Sequence, residues 1–243
     1  MHIGPKRLAD ITDLVGIRLI VPDVQSLLEV SDAIRREFKI PLADSRDASS
    51  VESAIGALTG VLTQFERLID QVSIHEKRDI YPFLKRHQYL LFASPDLVFS
   101  EVPIGMGTKY RIDFLVQKPD STYLLVEIEN PQARLFIKSG DFSADVNHAI
   151  RQVEDWQEWI EANLPTVERS YPGIRAPEAL VVIGRDRGLS SAERDRLARH
   201  NVNMRGRVMI RTYDDLLRDA RAYVRSIRGA FGNLLNRSVN RSV

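Results

Sequence analysis

The chain has 243 residues, no cysteine and a 44% apolar share, enough for one large or two small hydrophobic cores. Its 34 basic and 33 acidic residues nearly cancel but are unevenly spread: from Arg185 onward there are fourteen arginines and no lysine against six acids, so the part before Arg185 is net acidic. The composition excludes a disulfide scaffold and a cysteine-ligated zinc site, and no apolar stretch approaches the ~20 residues needed to cross a bilayer.

In chain order, the opening MHIGPKRLAD lacks the apolar core of a secretion signal, so a cytoplasmic location with no membrane contact is expected. ITDLVGIRLIV reads as a strand and VQSLLEVSDAIRREF as an amphipathic helix, together a small N-terminal module over residues 1–48. PLADSRDASS is a polar break before a long connecting helix over 49–72. The main domain, 73–228, starts with HEKRDIYPFLKRHQYLLF, a helix interrupted or started near Pro82, and a tail over 229–243 follows it. DLVFSEVPI, YRIDFLV, TYLLVEIEN and ALVVIG are short strand-like runs, the second and third joined by the turn residues QKPDS and so an antiparallel hairpin. FSADVNHAIRQVEDWQEWIEANL is a helix with Val146, Ala149, Ile150, Val153 and Ile160 along one stripe. SSAERDRLARHN gives a capped helix, IGRDRG before it a turn, RVMIRTY a last strand and DDLLRDARAYVRSIR a last helix. This order predicts an α/β fold, a mixed β-sheet covered by helices on both sides.

The chemistry concentrates in the hairpin. Alternation puts Arg111, Asp113 and Leu115 on one face of the first strand, and Leu125, Glu127 and Glu129 on one face of the second, alternate residues being about 7 Å apart. Paired strands would bring Asp113 to Glu127, and acids crowded at one sheet end repel unless a cation or shared proton relieves them. Two readings follow. The carboxylates, with the Ile128 carbonyl, hold Mg²⁺ or Mn²⁺, hard ions suited to oxygen ligands and able to polarise a phosphoryl group and activate a water. Alternatively, Asp113 pairs with Arg111 or another arginine, and the glutamates cap a strand end in water.

R-I-D-F-L-V, about fourteen residues before E-I-E and followed by a helix with Q-V-E-D-W, resembles the PD-(D/E)xK nuclease superfamily. The ordered run of HEKRDIYPFLKRHQYLL, LFIKSGDFSADVNHAIRQVEDW, LVVIGRDRGLSSAERDRLARHN and IRTYDDLL more narrowly resembles the C-terminal domain of Shedu antiphage nucleases, over residues 72 to 225. The resemblance implies a restriction-endonuclease-like fold, Mg²⁺-dependent cleavage of DNA and a role in defence against phage. It makes Asp113 and Glu127 metal ligands, Gln152 the glutamine of the Q-x-x-x-[YW] motif with Trp156 in the aromatic position, and Glu76 an acid from the first core helix. Glu129 stands where the family most often has lysine, as a general base or further ligand, and Lys138 and Lys109 are the lysines that could compensate. Alternatively, the domain has lost catalysis and binds nucleic acid or a partner protein.

Taken by themselves, Gln152 could instead hydrogen-bond a nearby main chain, and Trp156 and Trp159 read as packing residues. The arginine-rich end would contact phosphates, and homo-oligomers are common where two strands are cut. DITDLVGIRLIVPDVQSLLEVSDAIRREF is similar to one strand-helix unit of RelA/SpoT alarmone synthetases, Asp13 matching a metal ligand and Arg18 following it, without the later tracts their catalysis requires.

Overall fold

The structure, a computed structural model, describes residues 45–92, 97–104 and 110–239. The chain divides into Met1–Glu52 and Ser53–Val243. Only the start of a helix is described in the first unit, so the strand and helix expected before residue 45 lie outside the described residues, as does Lys109.

Helix α1 (Ser45–Ile69) buries Ile55, Leu62, Phe65 and Ile69, whose spacings of seven, three and four put them on one helical face. A wide π-type turn at Glu76–Ile80 then leads into α2 (Tyr81–Arg86), where Pro82 sits in the first turn and so removes no helical hydrogen bond. The interruption expected at Pro82 is therefore a change of helical pitch just before it.

Five strands, β1 (Leu97–Ile104), β2 (Tyr110–Gln117), β3 (Tyr123–Ile128), β4 (Glu178–Val182) and β5 (Val208–Arg211), form one sheet in sequence order. The first three pair antiparallel and the last three parallel, the mixed sheet expected. Asp120 closes the β2–β3 turn by accepting from the Thr122 N–H at 3.0 Å. The parallel pairs require crossovers. Helices α3 (Ala144–Ala162) and α4 (Leu164–Ser170) supply the first, and α5 (Ser191–Asn203) the second. Ser143 caps α3, and Ser190 with Glu193 forms a capping box on α5. Helix α6 (Tyr213–Val239) follows β5 and starts at a similar exchange between Thr212 and Asp215.

The stripe Val146, Ala149, Val153, Trp156 and Ile160 of α3 belongs to one core with Leu115, Leu125, Val181 and Ile183, each large side chain worth about 2 kcal/mol in burial. A second aromatic set holds α2: Tyr81 stacks on Phe114 at 5.1 Å and Phe92 meets Phe114 edge-on at 6.0 Å. Among the described residues no helix is long and apolar enough to cross a membrane.

Candidate active site

Asp113 and Glu127 lie on paired strands. The register Phe114↔Val126, continued by one step, sets them opposite each other, and both are 3% exposed. Asp113 Oδ2 accepts from the Ile128 N–H at 2.9 Å, which fixes the carboxylate against the neighbouring backbone. Glu127 Oε1 accepts from Gln152 Nε2 at 2.8 Å, whereas its Oε2 is buried without a hydrogen-bond partner. Gln152 reaches Glu127 because it sits one residue before Val153, at the edge of the buried stripe of α3.

The π-type turn brings a third element in. His75 N–H donates to Asp79 Oδ2 at 2.9 Å, and Asp79 N–H returns to the His75 carbonyl at 2.8 Å, so the wide turn is closed on itself. Such widened turns often mark functional positions. Here it presents Glu76 and Lys77 together. The Lys77 ammonium donates to Asp113 Oδ1 at 2.7 Å and to Oδ2 at 3.0 Å, and lies 3.4 Å from Glu76 Oε1. The loop after β3 is pinned near the same turn: Asn130 Nδ2 donates to the Ile74 carbonyl and Gln132 Nε2 to the Ile69 carbonyl.

Glu129 follows β3 directly. Its N–H donates to the Val182 carbonyl at 2.8 Å, its carbonyl accepts from the Tyr213 hydroxyl, and its carboxyl feels the negative charge of Glu76. Four acids thus share one ammonium, and protonation follows. Burial, then the charge of Asp113, pushes Glu127 up to about 9 despite Lys77. Burial, then Glu76, pushes Glu129 to about 7. For Lys77 burial opposes the charge, but Asp113 and Glu127 outweigh it and its pKa rises.

Asp113, Glu127, Glu129, Gln152 and Glu76 therefore gather at one place. Ile128 contributes its N–H to Asp113. Lys138 is exposed and makes no polar contact with the cluster; the lysine found there is Lys77, which sequence reasoning missed and whose one local signal was the acid-base doublet Glu76-Lys77. Arg111 points instead to Glu101, at 3.7 Å, and Trp156 is fully buried in the core. The arginine-rich end is not a free basic stripe: Arg185, Arg187, Arg196, Arg211, Arg218 and Arg221 are paired with acids of this chain. Exposed Arg199, Arg205 and Arg207 have no such pair among the described residues.

Whether these residues suit a divalent ion is decided by Glu127. Among the described residues no three Asp, Glu or His side chains are grouped to grip a metal. Mg²⁺, however, commonly rests on one or two carboxylates and completes its shell with waters and phosphate. The partnerless Glu127 Oε2 beside Asp113 is an acceptor that such an ion satisfies, and an all-oxygen donor set matches a hard cation. Asp113 and Glu127 fit the ion on these grounds.

Similarities to solved structures are distant. One is the structure of an EndoMS–dsDNA complex, 14% identical, with 59% of this chain and 46% of that one covered and a TM-score of 0.32. Another is a repair endonuclease from Pyrococcus abyssi, 12% identical, with 58% and 48% covered and the same TM-score. The chain thus spans about half the length of either, and no protein of curated function matches it. The family described as "Shedu protein SduA, C-terminal" matches residues 74–217, more than half of the chain and the whole of the sheet with its acid cluster, and the chain belongs to the Shedu family through that domain.

Proposed function

We propose that the chain is a divalent-metal-dependent endonuclease that hydrolyses phosphodiester bonds of DNA, in defence against phage. The observation that carries this reading is the facing pair Asp113 and Glu127, two buried acids of which Glu127 keeps one oxygen, Oε2, without a hydrogen-bond partner. Family membership supports the same reaction class. A Mg²⁺ or Mn²⁺ ion held by Asp113 and Glu127 would polarise a phosphoryl oxygen and acidify a water.

The remaining roles belong to the chain. The Ile128 N–H and Gln152 hold the two carboxylates in fixed orientations, so that the rearrangement an ion requires is the departure of the Lys77 ammonium from Asp113. As the water oxygen bonds to phosphorus and the bond from phosphorus to one sugar oxygen breaks, Glu129, with Glu76 beside it, receives the proton of the water, and the leaving oxygen is protonated from solvent. A cleft of about 610 Å³ starts three residues after Glu129, but Arg134 and Lys138 in its lining are balanced by Asp145 and Glu193, so it offers the nucleic-acid backbone no net positive charge.

The test is cleavage of plasmid and linear DNA by the purified chain in Mg²⁺ and in Mn²⁺. Cleavage is expected, and Asp113→Asn should lower it at least ~1000-fold, about 4 kcal/mol of transition-state stabilisation. A second reading, a nuclease domain that binds DNA without cutting it, is favoured by Glu129, which puts a negative charge where the family most often has an ammonium. Salt-sensitive DNA binding with the DNA left intact in both metals would establish that reading and remove the first.

A further inference from the structure

Glu76 and Asp113 both meet Lys77, Glu127 lies opposite Asp113 on the paired strand and Glu129 follows two residues on, and a phosphodiester brought to these acids adds another negative charge. A divalent ion offsets two of these charges. Among the described residues, the one cation that touches the group is Lys77, at 2.7 and 3.0 Å from the two oxygens of Asp113. Its backbone is fixed in the closed π-type turn, while its side chain is 52% exposed, so the ammonium sits between the buried carboxylates and the solvent from which a substrate arrives. Lys138 is out of contact, and position 129 carries an acid.

We propose that Lys77 is a catalytic residue: its ammonium passes from Asp113 to a non-bridging oxygen of the scissile phosphate and stabilises the charge that develops there as water attacks. The proposal rests on the nuclease reading. A lysine suits this exchange because it has three donors on a flexible stem, and it can give up a carboxylate for a phosphate without moving the turn that carries it. The contact with Asp113 is then the resting position of the group. A purely structural ion pair would require nothing of the exposed half of the side chain and would have no bearing on the phosphate.

The absence of cysteine from the chain supplies the test. In Lys77→Cys the introduced thiol is unique, and 2-bromoethylamine alkylates it: a sulfur–carbon bond forms, bromide leaves, the thiol proton goes to buffer, and an ammonium returns at nearly the original length. Lys77→Cys should cleave DNA at least ~100-fold more slowly than the unsubstituted chain, the usual loss for one transition-state donor, and alkylation should restore the rate to within about tenfold. Lys77→Gln should bind Mn²⁺, read by electron paramagnetic resonance, at least as tightly as the parent, since no ammonium competes for Asp113, while cleaving as slowly as Lys77→Cys.

Cleavage by Lys77→Cys within about threefold of the parent would overturn the assignment. So would failure of alkylation to restore a folded variant, or loss of Mn²⁺ binding in step with loss of cleavage in Lys77→Gln. A parent chain that leaves DNA intact overturns the nuclease reading and Lys77 with it; an active parent beside an equally active Lys77→Cys removes the lysine alone.

Discussion

Around Lys77, four carboxylates share one ammonium, and a Glu127 oxygen is left without a partner. Around Arg185 the balance is reversed. Its guanidinium donates to Asp214 through Nε at 2.9 Å and Nη2 at 2.7 Å, and through Nη1 to Asp70 at 2.6 Å and the Ile69 carbonyl at 2.9 Å. Asp214 also accepts from the Asp186 N–H at 2.8 Å, and Arg187 and Arg218 neutralise Asp70 and Asp186 in turn. Carboxyl pKa values move in opposite directions in the two places: up for Glu127 and Glu129, down for Asp70 and Asp214. Both clusters consist of ordinary charged residues, so composition does not separate them. What separates them is satisfaction. The Arg185 cluster ties the end of α1, the turn after β4 and the start of α6 together and has nothing left to offer a ligand, whereas the Lys77 cluster is held in a state that a cation would relieve.

The comparison is broken most severely at Arg185, whose side chain is 9% exposed. Arg185→Ala leaves the half-buried Asp214 without its main partner and should cost about 2 kcal/mol, roughly 4–8 °C in the unfolding midpoint, read by thermal melting. A loss under about 1 kcal/mol would show that the network is ornamental. At the other cluster the sign should invert. With its pKa raised to about 9, the folded Glu127 carboxyl is mostly protonated at pH 8 while the unfolded one is ionised, so folding must bind a proton; Glu127→Gln keeps the shape without that cost and should raise stability by about 1 kcal/mol at pH 8 without metal. Mg²⁺ should raise the melting temperature of the parent and leave that of Glu127→Gln unchanged; a destabilised variant would mean that Glu127 serves the fold.

The two clusters also differ in how far the sequence reveals them. Asp113 and Glu127 were legible because a β-hairpin is local: alternation gives the faces, QKPDS gives the turn, and the register follows. Gln152 was legible only as a border position of α3, since a stripe says which residues touch the core and not which acid a glutamine meets. Lys77 reaches Asp113 across 36 positions through a π-type turn that no local pattern announces, while Lys138 is close to Glu129 in the chain but exposed and without a polar contact to it. Arg185 joins Asp214 across 29 positions, and its segment, IGRDRG, is legible only as a turn. Gly184 in that turn has φ +61°, and a Cβ there would lie 2.3 Å from Leu135 Cδ1 and 2.6 Å from the Ala133 carbonyl, so the glycine is required by a contact made fifty positions away. Helix α4 escaped notice because Pro165, which reads as a break after α3, lies in its first turn.

The smallest effect expected is in acid, and its sign distinguishes the clusters. Burial alone would raise the Asp214 carboxyl, but Arg185 and the Asp186 and Arg187 N–H groups outweigh it and hold the pKa below the ordinary 3.8; Asp70 is lowered first by Arg185. A carboxyl lowered by folding stabilises the native state above its unfolded pKa, and the contribution fades as pH falls through the folded value. The stability gap between the parent and Asp214→Asn should therefore be full at neutral pH and narrow below 3.8, as the parent's own carboxyl becomes protonated. Melting both proteins across that range measures the gap. A constant gap into strong acid would mean that Asp214 acts through shape alone, and that the contrast with the Lys77 cluster is not one of charge.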